Sequence, residues 1–145
     1  MVDLDAKVWG PHYWFFLHTA TMTYPLHPND GVKKKYYDFI QNLPLFIPNA
    51  DMASAFQHML DTYPMSPYLD SRDSLVRWMH FVHNKMNKQL GVKQVSMSKF
   101  YADYHDNYKP RDVKYIEWAK TKRHVLYAVL VCALFGMIYY LYSTA

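Results

Sequence analysis

Trp14 and His18 stand four residues apart, as do His83 and Asn87, with Asn84 beside His83. On a helix, a spacing of four places both members of a pair on one face. Two such faces meeting across a bundle make an aromatic, hydrogen-bonding slot suited to a planar heterocycle. The same spacing also serves ordinary packing, with Trp filling volume and the polar side chains satisfied inside the core. His80 and His83 lie one turn apart and could share a metal with a third ligand. No Cys or acidic residue is placed to complete that set, so no metal site is expected. The chain offers no Ser-His-Asp or Cys-His arrangement and no Gly-rich phosphate loop.

The elements that must position these residues are helices. Pro11 suits the first turn of a helix, which is expected from about His12 to Thr23, stopping before Pro25. Asp30 can cap a second helix with Tyr36, Phe39, Ile40 and Leu43 in phase. Pro44 and Pro48 bracket a short apolar connector. Asn49 is a good N-cap for a third helix, with Met52, Phe56, Met59, Leu60 and Tyr63 on one side. Asp70 or Ser71 caps a fourth, with Leu75, Trp78, Met79, Val82, Met86 and Leu90 inward, and Gly91 stops it. A short fifth helix starts near Ser96 or Ser98. Pro110 opens a basic helix, Arg111 to Arg123, that runs on into the apolar segment behind it. No strand-like alternation stands out. The fold class is therefore all-α, a four-helix bundle plus a short fifth helix, followed by a C-terminal transmembrane helix.

Val125 to Tyr142 carries no charge. A bilayer core about 30 Å thick needs roughly 20 apolar helical residues, and slightly fewer suffice. Tyr127 near one end and Tyr139, Tyr140 and Tyr142 near the other match an aromatic belt. Lys120, Lys122 and Arg123 precede the span and only Ser143-Thr144-Ala145 follows, so the N-terminal domain is expected on the cytosolic side, in a tail-anchored chain. The organisation is then a bundle over residues 1–109, a basic stalk over 110–124, a span over 125–142 and a short tail over 143–145. The acidic, non-hydrophobic N-terminus does not read as a signal peptide. The net charge of +4 is local to Lys33–Lys35 and the pre-span cluster, so nucleic acid is not an expected partner. The single cysteine, Cys132, lies inside the apolar run, which excludes an intramolecular disulfide.

The order of the motifs carries more than any one of them. Trp14-Phe15-Phe16-Leu17-His18, then Tyr24-Pro25, then Trp78 to Asn87 with His83-Asn84, then Leu90-Gly91, resemble the Erv/ALR family of FAD-linked sulfhydryl oxidases. The opening Trp9-Gly10-Pro11 is most similar to versions from large nucleocytoplasmic DNA viruses. The resemblance covers Trp9 to Tyr104. It implies a flavin held in a four-helix bundle, often as a homodimer, with Trp14, His18, Tyr24, His83, Asn84 and Asn87 at flavin-contacting positions.

The departures bear on activity. Where the family places its redox Cys-x-x-Cys, this chain has Asn49 and Met52. The structural disulfide that the resemblance implies would fall at His80 and Met97. Basic residues often seen around the Leu-Gly are Gln89 and Val92 here, and the usual Arg near the start of the first helix is Pro11. Neither Asn nor Met can form the mixed disulfide of thiol–disulfide exchange. No catalytic residue is therefore assigned, and FAD stays open as a ligand of the slot. The expected function is that of a redox-inactive, membrane-anchored structural protein. It would be a virion component linking an inner membrane to a capsid or other protein layer through a homodimer or capsid proteins. The alternative is an FAD-binding thiol oxidase working with a partner that supplies the dithiol.

Overall fold

The first helix begins well before the proline at position 11. In the computed structural model, which describes residues 4–144, α1 runs Ala6–Met22. Asp5 caps it, its carboxylate accepting the Lys7 N–H at 2.8 Å. This corrects the expected start near His12. Pro11 sits inside the helix, where it leaves the Lys7 carbonyl without its usual partner. The ring is tolerated because the preceding residue is Gly10, which has no Cβ for it to strike.

The second helix, α2, spans Asp30–Asn42, and Asn29 rather than Asp30 is its cap, accepting the Val32 N–H at 2.9 Å. Asp30 instead occupies the first turn, where its negative charge complements the helix dipole. Ile40 and Leu43 are buried and Tyr36 is half-buried, but Phe39 is 37% exposed and meets Phe16 edge-on. A 3₁₀ turn, Leu43–Phe46, carries the chain into α3, Ala50–Thr62. Asn49 caps α3 by accepting the Met52 N–H at 2.9 Å. Phe56, Met59 and Leu60 face the core.

After a second 3₁₀ turn, Ser66–Tyr68, Ser71 caps α4, Arg72–Gln89. Leu75, Trp78, Met79, Val82 and Met86 are buried as the 3.6-residue period predicts. Leu90 is not inward: it is 53% exposed, because the helix has already ended and the chain is turning. That turn is made by Gly91, at φ +67°, with Val92 N–H bonded to the Asn87 carbonyl and Gly91 N–H to that of Lys88. This is a Schellman stop, which favours glycine at the left-handed position.

The short α5 covers Met97–Asp106, and α6 runs unbroken from Arg111 to Thr144. The chain divides into two compact units, one ending at Tyr104 and the other beginning at His105. In the first, α1 packs chiefly on α4, with α3 and the two 3₁₀ turns closing the sides. Its core is built from Leu17, Tyr24, Ile40, Phe56, Leu60, Leu75, Trp78 and Val82 among others. In the second, α6 is long and apolar enough to cross a membrane, and none of its apolar window is buried. Among the described residues the secondary structure is entirely helical.

Candidate functional site

The packing of α1 on α4 brings Trp14, His18 and His83 together. The Trp14 and His83 rings stack with centroids 3.9 Å apart and planes 9° from parallel. His18 Nε2 lies 2.9 Å from His83 Nδ1. Phe100, from α5, covers the other side of His18 at 4.4 Å. Tyr104, one turn further on, stacks on Phe15 and shares a 3.0 Å hydrogen bond with Thr19. Helix α5 thus closes over the histidines.

His18 is 3% exposed, and its Nδ1 has no hydrogen-bond partner. A His–His hydrogen bond needs one donor and one acceptor, so neither of the two bonded nitrogens can be a donor together with the other. The less costly tautomer has His18 Nε2–H donating, which leaves Nδ1 as a bare lone pair; a buried unpaired N–H is rarer in proteins than an under-used acceptor. Burial lowers the pKa of His18 to about 3, with further lowering from His83 and His80. Burial and then His80 lower that of His83 to about 4. Both rings are therefore neutral at physiological pH.

The remaining expected site residues are committed to the backbone or stand apart from this cluster's bonds. Tyr24 is fully buried, its hydroxyl donating to the Leu69 carbonyl at 2.8 Å and its ring edge-on to Tyr36. Asn84 donates to the Val95 carbonyl at 2.8 Å and accepts the Val95 N–H at 2.9 Å. His80 Nε2 lies 2.9 Å from the same carbonyl. These bonds tie α4 to the segment before α5, next to the positions where the resemblance implies a disulfide. Asn87 is half-buried, and its backbone carbonyl serves the Schellman stop.

Among the described residues, no three His, Cys, Asp or Glu side chains gather where they could hold a metal. The cover supplied by Phe100 and Tyr104 was not foreseen for these residues. Their i, i+4 spacing was the available signal, but a short amphipathic segment does not say where it docks.

An apolar cavity of about 40 Å³ adjoins Trp14, walled by Tyr13, Leu17, Met52, Phe56 and Met86. It is much smaller than the roughly 150 Å³ that admits a benzene ring. Trp14 and His83 are in van der Waals contact, so nothing can lie between them. As packed here, neither this cavity nor the closed Trp14–His83 pair admits a flavin ring.

The Erv1 / Alr family model matches residues 11–105. A protein named "Probable FAD-linked sulfhydryl oxidase" from Acanthamoeba polyphaga mimivirus is 29% identical over 94 residues, covering 64% of this chain and 66% of its own length. This chain therefore spans slightly less than two thirds of that curated relative. The FAD-linked sulfhydryl oxidase of an African swine fever virus isolate from Namibia is 30% identical over 114 residues, covering 78% of this chain and 90% of its own. The FAD binding domain of Erv1 from Saccharomyces cerevisiae superposes with a TM-score of 0.65 at 27% identity, covering 72% of this chain and 97% of that one.

Proposed function

This chain belongs to the Erv1/Alr family, and from that premise we propose that it is a redox-silent member, anchored in a membrane, whose bundle serves as a structural surface for other proteins. The observation that carries this reading is the start of α3. A thiol oxidase of the kind its relatives are named for needs a dithiol there to pass electrons. Here Asn49 spends its side chain capping Met52. A thioether has no thiolate form and cannot open a disulfide. Cys132 lies in the apolar stretch of α6, which on this reading is in lipid.

The span reading is supported by the length and exposure of α6. Its orientation, bundle to the cytosolic side, follows from Lys120, Lys122 and Arg123 ahead of the span. A surface role is supported by apolar side chains that the bundle leaves in the open: Val8 at 67%, Phe16 at 56%, Leu45 at 80% and Phe46 at 66% exposure. Leu45 and Phe46 are adjacent in the chain, and contiguous apolar surface marks interaction sites. On this reading, with relatives encoded by viruses, the setting is a virion inner membrane beneath a protein layer.

The test is a pair of measurements on the full chain. Oxygen consumption driven by dithiothreitol, with FAD added, should stay at buffer level. Cross-linking in native membranes or particles should join the bundle to protein neighbours. Turnover above buffer, or a bundle without neighbours in particles that assemble normally when the chain is missing, overturns the reading.

One observation favours a second reading: the buried His18 Nδ1 lacks a partner, and the relatives are named as FAD-linked. On that reading the Trp14–His83 pair opens to admit an aromatic ring, and a partner protein supplies the dithiol. The absorbance spectrum of purified protein decides between them. A flavin band moves the second reading ahead of the first.

A further inference from the structure

In the first part of the second unit, Lys109 and Lys114 are paired with carboxylates and Arg111 is exposed without an ion pair among the described residues. Lys109 lies 3.1 Å from Asp106 and 3.0 Å from Glu117, and Lys114 lies 3.7 Å from Asp106. Those cations are answered locally. Lys120, Lys122 and Arg123 are different. Among the described residues none has an acidic oxygen within 4.0 Å, and all three are exposed. They occupy the last turn before the apolar run that starts at Val125.

Their placement along the helix narrows the partner. At 3.6 residues per turn, Lys122 is rotated by about 200° and Arg123 by about 300° from Lys120, so the three lie within an arc of about 160°. Their level is the telling feature: all three stand within about 4.5 Å of one another along the axis, directly before the apolar run. That is the level at which a leaflet entered by this run presents its headgroups. Trp118 belongs to the same group: it is 53% exposed, and the Lys122 ammonium sits 4.0 Å from its ring centroid. Indole rings favour headgroup depth, and the contact places the ammonium at that same level.

We propose that Lys120, Lys122, Arg123 and Trp118 form a collar that binds the headgroups of anionic phospholipids where α6 enters the bilayer. The proposal rests on the reading of residues 125–142 as a membrane span and adds a lipid class to it. Arg123 can grip a phosphate with two parallel N–H bonds, and the two lysines act as mobile point charges beside it. Three unpaired cations within about 4.5 Å along the axis concentrate the attraction at the level where phosphates lie. Each basic residue at such a surface strengthens binding to an acidic leaflet by about fivefold.

The test uses the full chain reconstituted into vesicles of equal parts phosphatidylcholine and phosphatidylserine. Spin-labelled phosphatidylserine should be immobilised by the protein at least about threefold more than spin-labelled phosphatidylcholine, and high salt should weaken the preference. The triple variant K120Q/K122Q/R123Q should lose the preference while still floating with the vesicles. The variant K35Q/K88Q/K93Q removes equal charge from the bundle and should keep it. Equal preference in the collar variant, or none in the unaltered chain, overturns the proposal. Flotation with no headgroup preference removes the collar alone. Failure to float even with pure phosphatidylcholine vesicles removes the span and the collar together. A preference that only the bundle variant abolishes assigns the lipid contact to the bundle and also overturns the proposal.

Discussion

The side-chain oxygen of Asn49 accepts the backbone N–H of Met52 at 2.9 Å, so a capping bond joins the two positions that the family resemblance assigns to a redox disulfide. The bond satisfies one of the free N–H groups at the start of α3 and fixes the entry of the chain into the helix. Met52 lines the cavity beside Trp14 as an apolar filler. On the proposed reading, the positions of a redox site serve here as an ordinary helix start.

Asn49→Ala should lower the stability of the bundle by about 1 kcal/mol, and Asn49→Asp should restore most of it. Urea unfolding of the full chain in detergent, followed by far-ultraviolet circular dichroism, checks this. Equal stability of all three proteins would show that the cap does not hold α3.

Acid should destabilise the bundle through the buried histidines. Both have pKa values lowered in the fold, to about 3 for His18 and about 4 for His83, against an ordinary 6.5. Between those limits the unfolded chain takes up protons that the folded one refuses. Stability is therefore full above pH 6.5 and is lost as the pH falls from there toward 4 and then 3. The loss amounts to at most about 1.4 kcal/mol per pH unit for each ring. His83→Phe keeps a ring on Trp14 and removes one titrating group, so the slope between pH 6 and 4.5 should fall to about half. Denaturation midpoints across that range supply the measurement, and an unchanged slope would refute the assignment.

Asn84→Ala should loosen α5 without unfolding the rest. It removes both bonds to Val95 and leaves that backbone held only through His80. Amide exchange should speed up at Val95 and through α5, by about tenfold or more, while the centres of α1 and α4 keep their protection. Exchange that rises equally everywhere would mean that α5 and the bundle open as one unit.

Cys132 should resist a membrane-impermeant maleimide in intact vesicles and react once the bilayer is dissolved and the chain denatured. Ser143→Cys should label from one side only. Rapid labelling of Cys132 in sealed vesicles would place that part of α6 in water and remove the span.

Much of this fold is written in its punctuation. Asn49, Ser71 and Gly91 act as the cap, cap and stop that their residue types suggest, because each works through its own neighbouring backbone. Pro11 misleads for a related reason: its cost depends on the residue before it, and Gly10 removes the clash. Phe39 and Leu90 fit their helical periods yet stand open, since a period defines a face and not how far the partner element reaches. The i, i+4 pairs placed Trp14, His18 and His83 on facing sides correctly. The closure of Trp14 onto His83 needs the depth at which α1 and α4 dock, which no local spacing encodes. The tyrosines show the same limit. Tyr36 and Tyr104 place their hydroxyls within the bundle, on the Ala20 carbonyl and on Thr19, partners that no local spacing names.

The clamp on Val95 has a further consequence for when and where this protein matures. A disulfide forms only when an oxidant reaches it and opens when the surrounding thiol pool is reducing enough. The two hydrogen bonds between Asn84 and the Val95 backbone, one donated by each, have no reduction potential. This clamp can therefore close without an oxidant and keeps its state on exposure to glutathione.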